Sequence, residues 1–121
     1  AGGLCRLESV QNAVDQARNV AAGLTGRAAP YRAVPWFWSE QGDLRLQIAG
    51  LTMGHDRGVR RGAEGSRDHS IFCFRGGRLI GIESINRPAD HMAGRRLLAG
   101  THQLTPDQAA DPSFDLKSLS R

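Results

Sequence analysis

Two tryptophans stand two residues apart in Pro35-Trp36-Phe37-Trp38-Ser39-Glu40-Gln41, and the chain contains no others. In an extended strand, side chains two apart point to one face. Two indoles on one face can anchor a small core. They can also form a stacking wall for a flat aromatic ligand, such as a flavin, a nicotinamide or a base. The other reactive residue types are dispersed. His55, His69, His91 and His102 form no His-x-x-x-His or His-Glu-x-x-His pair, so their spacing offers no metal site. Cys5 and Cys73 make neither a disulfide framework nor a zinc pattern, which fits reduced thiols in a cytosolic protein. Cys73 alternates with Phe72 and Phe74, so either the thiol or the phenylalanines face the core. A thiol buried as a small hydrophobe is inert. No serine lies in a Gly-x-Ser-x-Gly elbow. Neither a Gly-x-Gly-x-x-Gly loop nor a Walker pattern occurs, which excludes a free-standing dinucleotide-binding domain.

The elements that would position these residues follow from periodicity. Val10, Ala13, Val14, Ala17, Val20, Ala21 and Leu24 recur at helical spacing and predict a helix over 9–25. Ser9 is its expected N-cap and Gly26 its stop. Residues 36–38 favour a strand, and Gln41-Gly42-Asp43 reads as a turn. Leu44, Leu46 and Ile48 then alternate with Arg45 and Gln47, the pattern of a half-buried strand. Residues 59–61 suit a short strand. Residues 70–75 and 78–85 predict a hairpin around Gly76-Gly77, since glycine supplies the positive φ of a tight turn. A second helix is expected over 88–99, with Pro88 at its start and Gly100 after it, although Gly94 interrupts the pattern. Pro106 opens a single helical turn at 107–110. The order is helix, antiparallel strands, helix, irregular tail. That is an α+β fold, a small antiparallel sheet flanked by helices.

Composition bounds the rest. The chain has 121 residues, with 40% hydrophobic and 23% charged, enough for one core and too little for two ordinary domains. The net charge is +4, carried almost wholly by arginine. The one local cluster, Arg57, Arg60, Arg61 and Arg67, is broken by Asp56 and Glu64. Interleaved carboxylates argue against a nucleic-acid surface. No apolar run reaches the roughly 18 residues of a membrane span, and no signal peptide is evident. The chain begins with Ala1-Gly2-Gly3 and no Met, which suggests a fragment.

Several segments resemble ferredoxin reductases of the putidaredoxin reductase and rhodocoxin reductase type. The segment Arg6-Leu7-Glu8-Ser9-Val10-Gln11-Asn12-Ala13, followed by Gln16-Ala17-Arg18, resembles the end of the FAD domain in that family. Pro35-Trp36-Phe37-Trp38-Ser39-Glu40-Gln41 is similar to its Pro-Trp-Phe-Trp-Ser-Asp-Gln motif, with Glu40 in place of Asp. Asn86-Arg87-Pro88, Asp56-Arg57 and Asp115-Leu116-Lys117 also fit. The likeness runs over nearly the whole chain.

The resemblance implies the C-terminal part of an FAD-dependent, NAD(P)H-oxidising ferredoxin reductase. Residues 1–26 would end the FAD-domain segment and form a connecting helix. Residues 27–121 would be the C-terminal α+β domain, which corresponds to the dimerisation domain of related disulfide reductases but covers the flavin here. Glu8, Ser9 and Val10 would approach the flavin at a helix start, where backbone N–H groups and the dipole favour negative charge. Trp38 would lie beside the isoalloxazine and Trp36 nearer the ferredoxin. Arg18 would belong to the docking surface for a [2Fe–2S] ferredoxin, the electron acceptor that serves a P450 or a dioxygenase. No catalytic residue and no metal ligand falls in the chain, and the isolated piece would be inactive. Two other readings are a dimerisation or interaction module, prone to self-association once excised, and a basic nucleic-acid binder stacking bases on Trp36, Phe37 and Phe74.

Overall fold

The computed structural model describes residues 4–119. Its first element is helix α1, Val10–Leu24. Strands β1 (Trp36–Gln41), β2 (Leu44–Gly50), β3 (Arg57–Arg61), β4 (His69–Arg75) and β5 (Arg78–Ile85) follow, then helices α2 (Pro88–Ala99) and α3 (Pro106–Ala110) and a 3-10 turn at Leu116–Leu119. The strands form one antiparallel sheet in the order β1-β2-β5-β4-β3. This is the α+β architecture that the pattern predicts.

The register explains the core. Trp36 pairs with Ala49, Ala49 with Ile82, Ile82 with Phe72 and Phe72 with Val59. Directly paired residues share a face, so this row crosses the whole sheet under α2, and Ala49, Ile82 and Phe72 are fully buried. The neighbouring row on that face starts at Trp38 and is polar beyond it: Gln47, Ser84, Ser70 and Arg61. Its buried members need partners. Ser70 Oγ donates to Asp90 Oδ2 of α2 at 3.0 Å and lies 3.1 Å from Ser84 Oγ. The Arg61 guanidinium donates to the carbonyls of Ala109, Asp111 and Phe114, at 3.2, 2.6 and 2.7 Å. It thereby ties α3 and the tail to the outer strand.

Local signals explain the joints. Gly76 and Gly77 have φ of +57° and +78°, as a tight hairpin requires. Asn86 also takes a positive φ, +51°, and its side chain accepts the Arg45 N–H at 2.8 Å and donates to the Asp43 carbonyl at 3.2 Å. The end of β5 thus holds the β1–β2 turn.

Two expectations change. The apolar stripe of α1 does not face the sheet. Val10, Val14, Val20 and Leu24 are exposed, and the buried residues of α1 are Gln11 and Asn12. In β2 the phase is opposite to the alternation of leucines: Gln47 and Ala49 point to the core, whereas Leu44 is exposed and Leu46 and Ile48 are half-buried. Apolar side chains mark surfaces to be covered, and among the described residues both surfaces remain open. The choice between Cys73 and its flanking phenylalanines also dissolves. All three are buried, with a bulge between Cys73 and Phe74 altering the strict alternation.

Candidate functional site

The tryptophans lie at the start of β1, an edge strand. Both point to one face, and their rings are 5.4 Å apart between centroids, tilted by 31°. Their environments differ. Trp36 is half-buried and packs against the hydrophobic core, while Trp38 is 36% exposed. The core reading thus holds for Trp36, while part of the Trp38 ring is open to solvent.

Two residues of α2 hold Trp36. Arg95 Cζ sits 4.4 Å from the ring centroid, a cation–π contact. His91, one turn earlier on the same helical face, meets the ring edge-on at 6.1 Å. His91 is 1% exposed, and neither ring nitrogen has a hydrogen-bond partner. Burial, reinforced by the charges of Arg95 and Arg45, pushes its pKa down to about 4. It is therefore neutral near pH 7. Neither residue is singled out by sequence motifs. The only signal is their i, i+4 spacing.

From the other side, α1 reaches the same strand. Ser9 caps the helix as expected, its side chain accepting from the Asn12 N–H at 3.1 Å. Gln11 Oε1 accepts the outward-facing Trp36 N–H at 3.0 Å, and Asn12 accepts from the Tyr31 hydroxyl at 3.2 Å. The first intrahelical bond runs from Ala13 N–H to the Ser9 carbonyl. The N–H groups of Val10 and Gln11 thus precede the hydrogen-bonded ladder and carry the positive end of the helix dipole.

Of the residues singled out by resemblance, Glu8, Ser9 and Trp36 line one depression together with Leu7, Pro35 and Phe37. At about 160 Å³ it is too small to enclose a dinucleotide, since small-molecule sites run to about 300–1,000 Å³. Trp38 is not among its lining residues. Val10 is exposed at the adjoining helix start. Arg18 lies apart, about 12 Å farther along α1 by helical rise. It is largely exposed and within 4.0 Å of Asp15.

Of the two free cysteines, Cys5 is exposed and Cys73 buried. The arginine cluster disperses: Arg61 is buried, Arg60 donates to the carbonyls of Ala63 and Ser66, and Arg67 pairs with Asp43. That pairing holds the Asp43 carboxyl below the usual range. Burial, with a smaller effect of Glu83, pushes the Cys73 thiol up to about 11, so a thiolate is strongly disfavoured. Among the described residues no three His, Cys, Asp or Glu side chains converge as a metal site. Among the described residues no helix is long and apolar enough to cross a membrane.

Known proteins place the fold. Rhodocoxin reductase of Rhodococcus erythropolis is 64% identical over 115 residues, 95% of this chain and 27% of that protein. The crystal structure of the ferredoxin reductase for the CYP199A2 system of Rhodopseudomonas palustris matches with a TM-score of 0.89 at 58% identity, covering 96% of this chain and 29% of that one. The covalent putidaredoxin reductase–putidaredoxin complex matches with a TM-score of 0.88 at 36% identity, covering 95% and 28%. The chain therefore spans little more than a quarter of the length of these relatives. Residues 36–120 match the family model described as Reductase C-terminal, and the chain belongs to that family.

Proposed function

We propose that the chain is the flavin-covering, C-terminal part of an NAD(P)H-dependent FAD ferredoxin reductase, and that its parent passes electrons to a [2Fe–2S] ferredoxin serving a P450 or a dioxygenase. The observation that supports this reading is the depression that Glu8, Ser9 and Trp36 line at the N-terminus of α1, with Trp38 against Trp36, in a chain 64% identical to a rhodocoxin reductase. FAD supplies the hydride-accepting and electron-donating chemistry when bound. This chain's residues do the rest. The N–H groups of Val10 and Gln11 would hold the flavin's pyrimidine edge, where negative charge gathers on reduction. Ser9 fixes their direction by capping the helix, with Glu8 beside it. Trp38 would cover the ring and exclude water, and Trp36 would space it from the ferredoxin. Arg18 contributes positive charge to the docking surface, which chiefly raises the association rate with an acidic partner. Residues 1–26 end the FAD-domain segment and residues 27–121 form the C-terminal domain.

The unpaired thiols of Cys5 and Cys73 support a cytoplasmic protein. The dispersal of the arginine cluster argues against nucleic acid as partner. The full-length parent tests the reading. It should bind FAD and reduce a [2Fe–2S] ferredoxin with NADH or NADPH, and Trp38→Phe should slow that reduction. A parent with intact Trp38 that binds no FAD overturns it. The isolated chain should show no reductase activity.

A further inference from the structure

The surroundings of Trp36 assign a role to a residue outside the tryptophan motif. Arg95 has no carboxylate within ion-pair distance among the described residues, whereas Arg18, Arg45, Arg67 and Arg87 each have one. Its described contacts are the face of Trp36, at 4.4 Å, and the Met92 sulfur, 3.7 Å from Nη1. Trp36 in turn is the ring against which Trp38 leans, at 5.4 Å. Opposing groups limit the freedom of Trp36. Its backbone N–H is held by Gln11, its edge meets buried His91, and its strand partner is fully buried Ala49. Arg95 covers a face of the ring. Among the described residues the one ring contact of Trp38 is with Trp36.

We infer that Arg95 is a positioning residue: by stacking its guanidinium on Trp36 it fixes the orientation in which Trp38 is presented to the flavin. A planar, delocalised guanidinium suits this task. It stacks on an aromatic face with little hydration to lose. The inference rests on the flavin-covering role proposed above.

Two readouts separate it from that role, both in the full-length parent. The first needs no flavin. Two indoles 5.4 Å apart give an exciton couplet in circular dichroism, isolated as the difference between wild-type apoprotein and Trp38→Phe. Arg95→Met keeps the bulk of the side chain but removes the charge and the plane, and should cut the couplet to less than half. Arg95→Lys restores a charge over the ring and should retain most of it. The second readout is the fluorescence lifetime of bound FAD, which an adjacent indole shortens. It should lengthen at least threefold in Trp38→Phe and at least twofold in Arg95→Met, with Arg95→Lys near wild type. An undiminished couplet in Arg95→Met overturns the inference. So does a flavin lifetime that responds to Trp38→Phe but not to Arg95→Met. A lifetime indifferent to Trp38→Phe instead overturns the flavin-covering role, and the couplet then decides the Arg95–Trp36 clamp alone.

Discussion

Gln11 Oε1 accepts the backbone N–H of Trp36 at 3.0 Å, so a side chain of α1 pairs the first outward N–H of an edge strand 25 residues away. An unpaired edge N–H invites pairing with another chain, and here it is covered. Gln11 is 6% exposed and its amide also donates to Asp15 at 2.7 Å. Gln11→Leu should leave a buried donor unsatisfied and cost about 1–3 kcal/mol. Urea unfolding of the two proteins measures it. An unchanged midpoint would mean that α1 does not depend on this contact. Since the same bond positions Trp36, the couplet of the tryptophan pair should weaken too.

Gly94 lies where α2 crosses β5. A Cβ there would sit 2.5 Å from Ile82 Cγ2, and Ile82 is fully buried. Alanine is the better helix former by about 1 kcal/mol, but overpacking costs about 1–3 kcal/mol. Contact with an immobile core residue decides the sign. Gly94→Ala should destabilise the chain, and the loss should shrink in an Ile82→Ala background. Equal losses in both backgrounds would place the cause elsewhere.

That contact also shows what could be read from the sequence. Gly94 stands out as a break in a helical pattern, but only the packing of α2 on Ile82 explains it. The hairpin of β4 and β5 is legible because its turn depends on two adjacent residues, Gly76 and Gly77. The helix bounds, the N-cap at Ser9 and the shared face of Trp36 and Trp38 are legible for the same reason, being local. The faces of α1 and β2 are not. Val14, Val20, Leu44 and Ile48 report that a surface is meant to be covered, but not by what. In both elements, polar or small residues (Gln11, Asn12, Gln47 and Ala49) meet the described core instead. Arg61 escapes likewise. It sits among surface arginines in the sequence and is 7% exposed in the fold, because its partners are carbonyls 48 to 53 positions later.

Arg61 therefore carries a stability prediction. Its guanidinium satisfies carbonyls at the end of α3 and in the tail, with no carboxylate among those partners. Arg61→Ala should cost on the order of 3 kcal/mol, since each acceptor left dry costs about 1–3 kcal/mol. Arg61→Lys should recover only part, because an ammonium cannot reproduce the planar fork. Denaturant midpoints check both, and full recovery by lysine would show that charge alone suffices.

His91 supplies the pH dependence. Its folded pKa is pushed down to about 4 by burial, with Arg95 and Arg45 adding to the effect, while the unfolded side chain titrates near its ordinary value of about 6.5. Between those values the unfolded chain binds the extra proton, so stability falls as the pH falls through that window, by up to about 1.4 kcal/mol per pH unit. His91→Leu removes this titration and the two unpartnered ring nitrogens. The variant should gain on the wild type by about 2 kcal/mol between pH 7.5 and pH 5, measured as the change in their difference in unfolding free energy. Carboxylates titrating at acid pH act on both proteins and cancel in that difference. A difference that does not move with pH would mean that His91 accepts a proton in the folded chain without penalty, and that its site admits water.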